Sequence, residues 1–188
     1  MKKFRMLSMI LCLIMVLGAM ILSGCSDEET VIPEEPEVIS YDAALYFVNG
    51  EYVETGDESL PHLLIEERTI QIPKDENSYM VLLKALTLVY DEGMGTMVTD
   101  EIIFNDVYLS EADHQIIVVD LGREGLSGGS LSEALFIGQV VETLLNNETL
   151  VSADTAAPTK VQFLVDGEAV ESLMGHIDAG EPFTSQLK

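Results

Sequence analysis

The sequence predicts an α+β fold in which two helices pack on one face of a mixed, largely antiparallel sheet. Three features carry that reading. Apolar runs of strand length recur along the chain, two segments repeat apolar residues at helical spacing, and turn-forming pairs such as Asn49-Gly50 and Asp166-Gly167 punctuate them. Two helices are too few to cover both faces of a sheet, so they gather on one side of it.

The folded region is expected from about Tyr41 to Ser185. Ala43 to Val48 reads as a strand that turns at Asn49-Gly50, a strong hairpin pair, and Leu63 to Ile72 as a second strand closed by Pro73. Asn77 or Ser78 caps a helix running to about Tyr90. Tyr79, Leu83, Leu86 and Tyr90 share its buried face, and Gly93 and Gly95 end it. Ile102 to Leu109 and Gln115 to Leu121 form an antiparallel hairpin across the turn SEADH.

Gly122 to Gly129 is a loop. Ser130 and Glu133 then stand at capping-box spacing, which would satisfy two orphan N–H groups of the second helix reciprocally. Gly128 and Gly129 would supply positive φ where the chain reverses into that helix. Its apolar face is Ala134, Ile137, Val141, Leu144 and Leu145. A polar loop over Asn146 to Thr159 leads to a strand at Val161 to Val165 and the Asp166-Gly167 turn. From Ser78 the order is helix, strand, strand, helix, strand.

Residues 1–24 read as a bacterial lipoprotein signal peptide. Lys2, Lys3 and Arg5 precede the apolar run MLSMILCLIMVLGAMI, which ends at Leu22-Ser23-Gly24-Cys25. LSGC resembles the lipobox, whose Cys thiol becomes a thioether to diacylglycerol before cleavage exposes it. Cys25 is therefore the expected lipidation site and first mature residue, placing the chain outside the cytoplasm and anchored to the cell membrane. Two acyl chains give stable anchoring where one gives marginal binding. Ser26 to Ser40 (SDEETVIPEEPEVIS) holds six acidic residues, two prolines and no positive charge, and reads as a tether. A single domain is expected to follow it.

The chain carries 33 Asp and Glu against 9 Lys and Arg, a formal charge of −24; loss of the three leader cations takes it to about −27. Such a surface repels nucleic acid and anionic headgroups and is compatible with a basic partner or divalent cations, but reads first as the solvated acidic face of a secreted protein. Cys12 falls in the leader and Cys25 carries lipid, so no disulfide forms within one mature chain and the domain stands on its apolar core.

Chemical signals are sparse. Gly125-Leu126-Ser127-Gly128-Gly129 satisfies G-x-S-x-G, with Asp154 or Asp166 and His176 following in hydrolase order. A nucleophile elbow needs its Ser directly after a buried strand, whereas Gly122 to Leu126 separate Ser127 from Leu121. The same loop precedes a helix N-terminus and could cradle phosphate, but Arg123 is its sole cation. His62, His114 and His176 lie apart, with no second His or Cys at ligand spacing. His176 with Asp178 reads as a turn pair before a metal site, and the acidic pairs match no EF-hand loop. No catalytic residue, metal or cofactor is expected.

The string VVDLGREGLSGGSLSEALFIGQVVETL, followed by VQFLVDGEAVESLMGHIDAGEPF, resembles the GerMN domain of sporulation and spore germination. The matching positions are Val119-Asp120-Leu121, Gly128-Gly129-Ser130, Gln139 through Leu144, Val161 through Glu168, and Gly175, His176, Asp178 and Pro182. The family's Leu-Leu-x-Gly-Pro phrase appears here as LVYDEGMG, without Pro. A well-known sporulation member carries two such domains in tandem; this length accommodates one. The resemblance implies a non-enzymatic domain similar to the ring-building motifs of secretion and sporulation assemblies, with cell-wall maintenance as a second setting. Its partners would be the membrane, through Cys25, and other envelope proteins or further copies of itself. Competing expectations are a lipoprotein that binds a small ligand or wall fragment, and an esterase-like hydrolase resting on Ser127.

Overall fold

The computed structural model describes residues 37–147, 150 and 157–185. The signal peptide, Cys25, Asp154 and most of the tether lie outside them. Strand β1 (Val38–Asn49) runs into helix α1 (Gly50–Thr55), then β2 (Leu63–Pro73), helix α2 (Ser78–Ala85), β3 (Met94–Gly95), β4 (Phe104–Leu109), β5 (Ile116–Leu121), helix α3 (Ser130–Leu145), β6 (Lys160–Val165), β7 (Glu168–Ala169) and β8 (Phe183–Thr184). The α+β class holds. The strands divide between two sheets, β2-β1-β3 and β4-β5-β6-β7 with β8 also on β6.

The first sheet is dominated by a long antiparallel pair, in register from Val38↔Pro73 to Val48↔Leu63. Val38 to Ser40, read as the end of the tether, are thus strand. Asn49-Gly50 makes no hairpin turn. Asn49 is buried, and its Oδ1 accepts from the N–H groups of Glu51 and Tyr52, capping α1, while its Nδ2 donates to Pro61 O at 2.8 Å. A side chain that can cap a helix start competes with a turn at the same position, and here the cap wins.

In the second sheet, β4 and β5 form the expected antiparallel hairpin. β5 and β6 are parallel. Parallel neighbours need a long crossover, and α3 lies within it. At the β6–β7 turn Asp166 (φ 53°) and Gly167 (φ 78°) are both left-handed, the conformation an Asp-Gly hairpin requires.

Helix α2 starts where expected, with Asn77 Oδ1 accepting from Tyr79 and Met80 N–H, but ends at Ala85 rather than near Tyr90. The chain tightens into three-residue bonds over Leu86 to Leu88. The Arg68 guanidinium also donates to the carbonyls of Ala85 (3.1 Å) and Leu88 (3.0 Å). Arg68 also pairs with Glu66 at 2.7 Å and lies 4.2 Å from the Tyr90 ring centre, so one cation ends the helix and fixes the segment after it.

Most of α3 is buried. Phe136, Val140 and Leu144 join Leu45 and Phe47 of β1, Leu82 and Leu83 of α2, Ile117 and Val119 of β5, and Phe163 of β6 in one core. Several of its polar residues are buried as well. Gln139 and Thr143, with Asn147 just past the helix end, recur every four residues and so follow one row. That row faces the edge of β1 that β2 leaves open. Thr143 Oγ1 accepts from Tyr46 N–H (3.1 Å), and Asn147 accepts from Ala44 N–H (3.0 Å) and donates to Ala44 O (2.9 Å). Gln139 Oε1 accepts from Met97 N–H at 2.8 Å, just beyond β3. Side chains of a helix thus complete a strand edge.

Asn147→Ala and Thr143→Val each leave buried backbone groups of β1 without partners, and each should cost about 1–3 kcal/mol. Chemical denaturation checks this, with the exposed Glu67→Ala expected to stay within about 0.5 kcal/mol of wild type.

Candidate functional site

The loop between β5 and α3 was the strongest catalytic candidate in the sequence, and its geometry is architectural. Ser127 borders a cavity of about 180 Å³ with Met97, Thr99, Glu101, Ile102, Gly125, Ser132 and Met174, a lining without histidine. His176 Nε2 lies 3.1 Å from Gly128 O and must donate its proton there, since a carbonyl only accepts. Asp166 is at the β6–β7 turn, 3.7 Å from Arg123 Nε. Among the described residues no Ser-His-Asp array forms.

The glycines act differently from the expectation. Gly129 has φ −91° and ψ −179°, ordinary extended backbone, and a Cβ there would meet nothing within 4 Å. Gly125 is the constrained position: φ is +86°, and a Cβ would stand 2.1 Å from Glu101 O. At Gly128 a Cβ would approach Ser132 Cβ to 2.8 Å.

The capping box also does not form. Gly129 is the N-cap, without a side-chain bond, and Ser130 is the first helical residue. Glu133 turns away from Ser130 because its carboxylate is the anchor of the segment from Ser172 to Ile177. Oε1 accepts from Ser172 Oγ and the N–H groups of Leu173 and Met174, and Oε2 from His176 and Ile177 N–H, at 2.8–3.1 Å. Glu133 is fully buried. Burial raises its carboxyl pKa, and the donated bonds outweigh it, leaving the group below its ordinary value. Asp178, expected to pair with His176, instead accepts from Gly180 N–H at 3.0 Å.

What α3 leaves to solvent is a different kind of surface. Its outward positions are Leu131 (45% exposed), Ala134 and Gly138, none of them charged. Two troughs flank this row. One, of 570 Å³, lies against Tyr52, Leu60, Pro61, His62 and Leu63; the other, of 320 Å³, against Ile177, Phe183 and Thr184. Ala134, Gly138 and Glu142 border both. The Tyr52 and His62 rings stack at 4.1 Å, walling the larger trough, and Glu58 sits 3.5 Å from His62. This groove was not foreseen, because its walls come from α1, the segment before β2, and the C-terminal strand β8.

The family model for sporulation and spore germination matches residues 44–171. The chain belongs to that family. Among solved structures, the first GerMN domain of the sporulation protein GerM from Bacillus subtilis aligns with TM-score 0.53 and 13% identity, covering 79% of this chain and 99% of that one. The tandem GerMN domains of the same protein align with TM-score 0.55 and 13% identity, over 78% of this chain and 46% of that one. This chain therefore spans about half the tandem structure, and at such identity the likeness is one of fold. No curated protein matches the sequence.

The positions that carried the GerMN resemblance now have physical roles. Asp120 Oδ1 accepts from Gly167 N–H (2.8 Å), tying the V-D-L strand to the D-G turn. Thr143 edges β1, Gln139 holds Thr96 and Met97 just beyond β3, and His176 ties the tail to Gly128. Cys25, the expected lipidation site, lies outside the described residues.

Two outcomes follow. Gly125→Ala should be strongly destabilising, by more than about 2 kcal/mol from clash and strain, whereas Gly129→Ala should stay within about 1 kcal/mol of wild type; thermal melts compare them. Glu133→Gln replaces an acceptor by a donor among N–H groups and should cost about 2 kcal/mol or more near neutral pH. Because the folded-state carboxyl lies below its ordinary 4.5, its contribution is complete above that value and lost as pH falls through the folded value. Wild type should lose stability over that acid range, and the Gln variant should show a flatter acid limb in melts taken across pH.

Proposed function

We propose that this chain is a lipid-anchored, extracytoplasmic interaction module that positions a partner protein in a sporulation, germination or envelope complex. The observation that carries the reading is the groove along α3. In a chain with 33 acidic residues, the outward positions Leu131, Ala134 and Gly138 of α3 are uncharged and lie between two largely apolar troughs, with Glu142 bordering both. Exposed apolar surface of that kind, rimmed by polar residues, marks binding sites. Family membership supports the setting, since the family is described by sporulation and germination and not by a reaction. The lipobox-like LSGC and the acidic stretch after it support anchoring through Cys25 with the domain held off the bilayer.

Cys25→Ala should abolish incorporation of a fatty-acid analogue and leave an unprocessed precursor; label retained by the variant sinks the anchor. A photo-crosslinking residue at Ala134 in intact envelopes should give a protein adduct, while one at the exposed Glu67 on β2 should give none. Equal adducts from both positions, or none from Ala134, overturn the groove as the interaction face.

A further inference from the structure

We infer that the groove along α3 seats a cationic amphipathic helix of a partner protein, an inference that rests on the interaction-module reading and names the partner's chemistry. The shape argues for a helix. Ala134 and Gly138 are four residues apart and form a low ridge with an apolar trough on each side, the relief into which the side-chain rows of a second helix fit. From Leu131 to Glu142 the row extends about 16 Å, room for roughly three turns of a partner helix.

Gly138 argues for close approach from outside. Glycine inside a helix is unfavourable by roughly 0.5–1 kcal/mol relative to alanine. Among the described residues nothing requires it, because a Cβ there would meet only Leu63 Cδ1, at the ordinary distance of 3.5 Å. The missing side chain leaves space above the helix that only a second molecule can use.

Charge decides the sign. Among the described residues no Lys or Arg lines either trough, Glu142 borders both, Glu58 sits beside His62, and the exposed Asp178 and Glu181 are close in sequence to Ile177 and Phe183. A helix with an apolar stripe and flanking lysines or arginines meets its complement there. A second copy of this chain, at −24, brings the same sign to the same rim and is disfavoured.

The probe is a fluorescent Leu/Lys amphipathic helix, titrated by anisotropy against the full chain in phosphatidylcholine nanodiscs, with empty nanodiscs as baseline. Saturable binding is expected, with no binding of a sequence-scrambled Leu/Lys peptide or a Leu/Glu helix. Gly138→Leu, which fills the ridge, should weaken binding at least about tenfold. Ala134→Gln, an uncharged change at an exposed position, should also weaken it, and melts confirm that the variants are folded. Gly138→Ala should melt no lower than wild type, separating loss of groove from loss of helix. Equal binding of the scrambled peptide reduces the effect to the field of an acidic chain and overturns the proposal. So does unchanged affinity in Gly138→Leu and Ala134→Gln, or self-association of the chain that Gly138→Leu abolishes. If the Ala134 adduct in envelopes forms with an acidic or non-helical segment, this occupant is wrong while the interaction module stands; absence of that adduct removes the module reading itself.

Discussion

A helix buried on most of its circumference must find internal partners for every polar side chain it carries, and a strand with one open edge must find partners for its backbone. In this domain each demand answers the other. β1 pairs with β2 along its whole length, but its second edge pairs with β3 only at Val48 and Asn49. Ala44 and Tyr46 would otherwise hold unpaired N–H and C=O groups against the core. The four-residue row of Gln139, Thr143 and Asn147 supplies what a further strand would have supplied. An edge closed in this way is protected from pairing with other chains. The same contacts fix the rotation and height of α3, and so decide which of its residues face outward.

Glu133 fixes the other end of the helix. Five donors converge on one carboxylate, four of them backbone N–H groups from a single short segment. A carboxylate is well suited to this because its two oxygens only accept, so neighbouring N–H groups can crowd it without mismatch. The segment it gathers leads, through Ile177, to Phe183 of β8, whose ring meets Phe163 of β6 edge-on at 5.7 Å. The outer trough on α3 therefore depends on a carboxylate on the same helix. Gly128 and Gly125 complete the arrangement by allowing close approach to Ser132 and Glu101.

Much of this was legible in the sequence, and what was missed follows one pattern. Local signals were read well where one interaction decides the outcome: Asn77 or Ser78 as a cap, which Asn77 supplies, Asp166-Gly167 as a turn, and Gln115 to Leu121 as a strand. Errors arose where a residue has two local uses and tertiary contacts select between them. Asn49 can turn a hairpin or cap a helix. Glu133 can close a capping box or receive a distant segment. Glycines before a helix can be needed for φ or for space, and Gly125, not Gly129, carries the φ requirement. The polar row on α3 did leave a signal, since Gln139, Thr143 and Asn147 repeat every four residues on a helix otherwise apolar almost all round. Such a repeat points to a buried acceptor row, but its partner on β1 lies about a hundred residues away. The groove left less trace, because its walls come from three separate parts of the chain.

These assignments also bear on where function can reside. The described polar groups the sequence singled out for chemistry sit apart: His176 donates to Gly128, Asp178 accepts from Gly180, Asp166 lies near Arg123, and Ser127 borders a cavity without histidine. His176 and Asp178 are each engaged by backbone and so hold the loops they belong to. The reverse holds for Leu131, Ala134 and Gly138, which contribute little to the core and would be replaceable by charged residues if solubility were the only demand on them. A helix gains from an outward Lys or Glu where it gains nothing from Gly. The fold fixes where the row Leu131, Ala134 and Gly138 faces through hydrogen bonds at both ends of its helix, those of Glu133 at one end and those of Thr143 and Asn147 at the other.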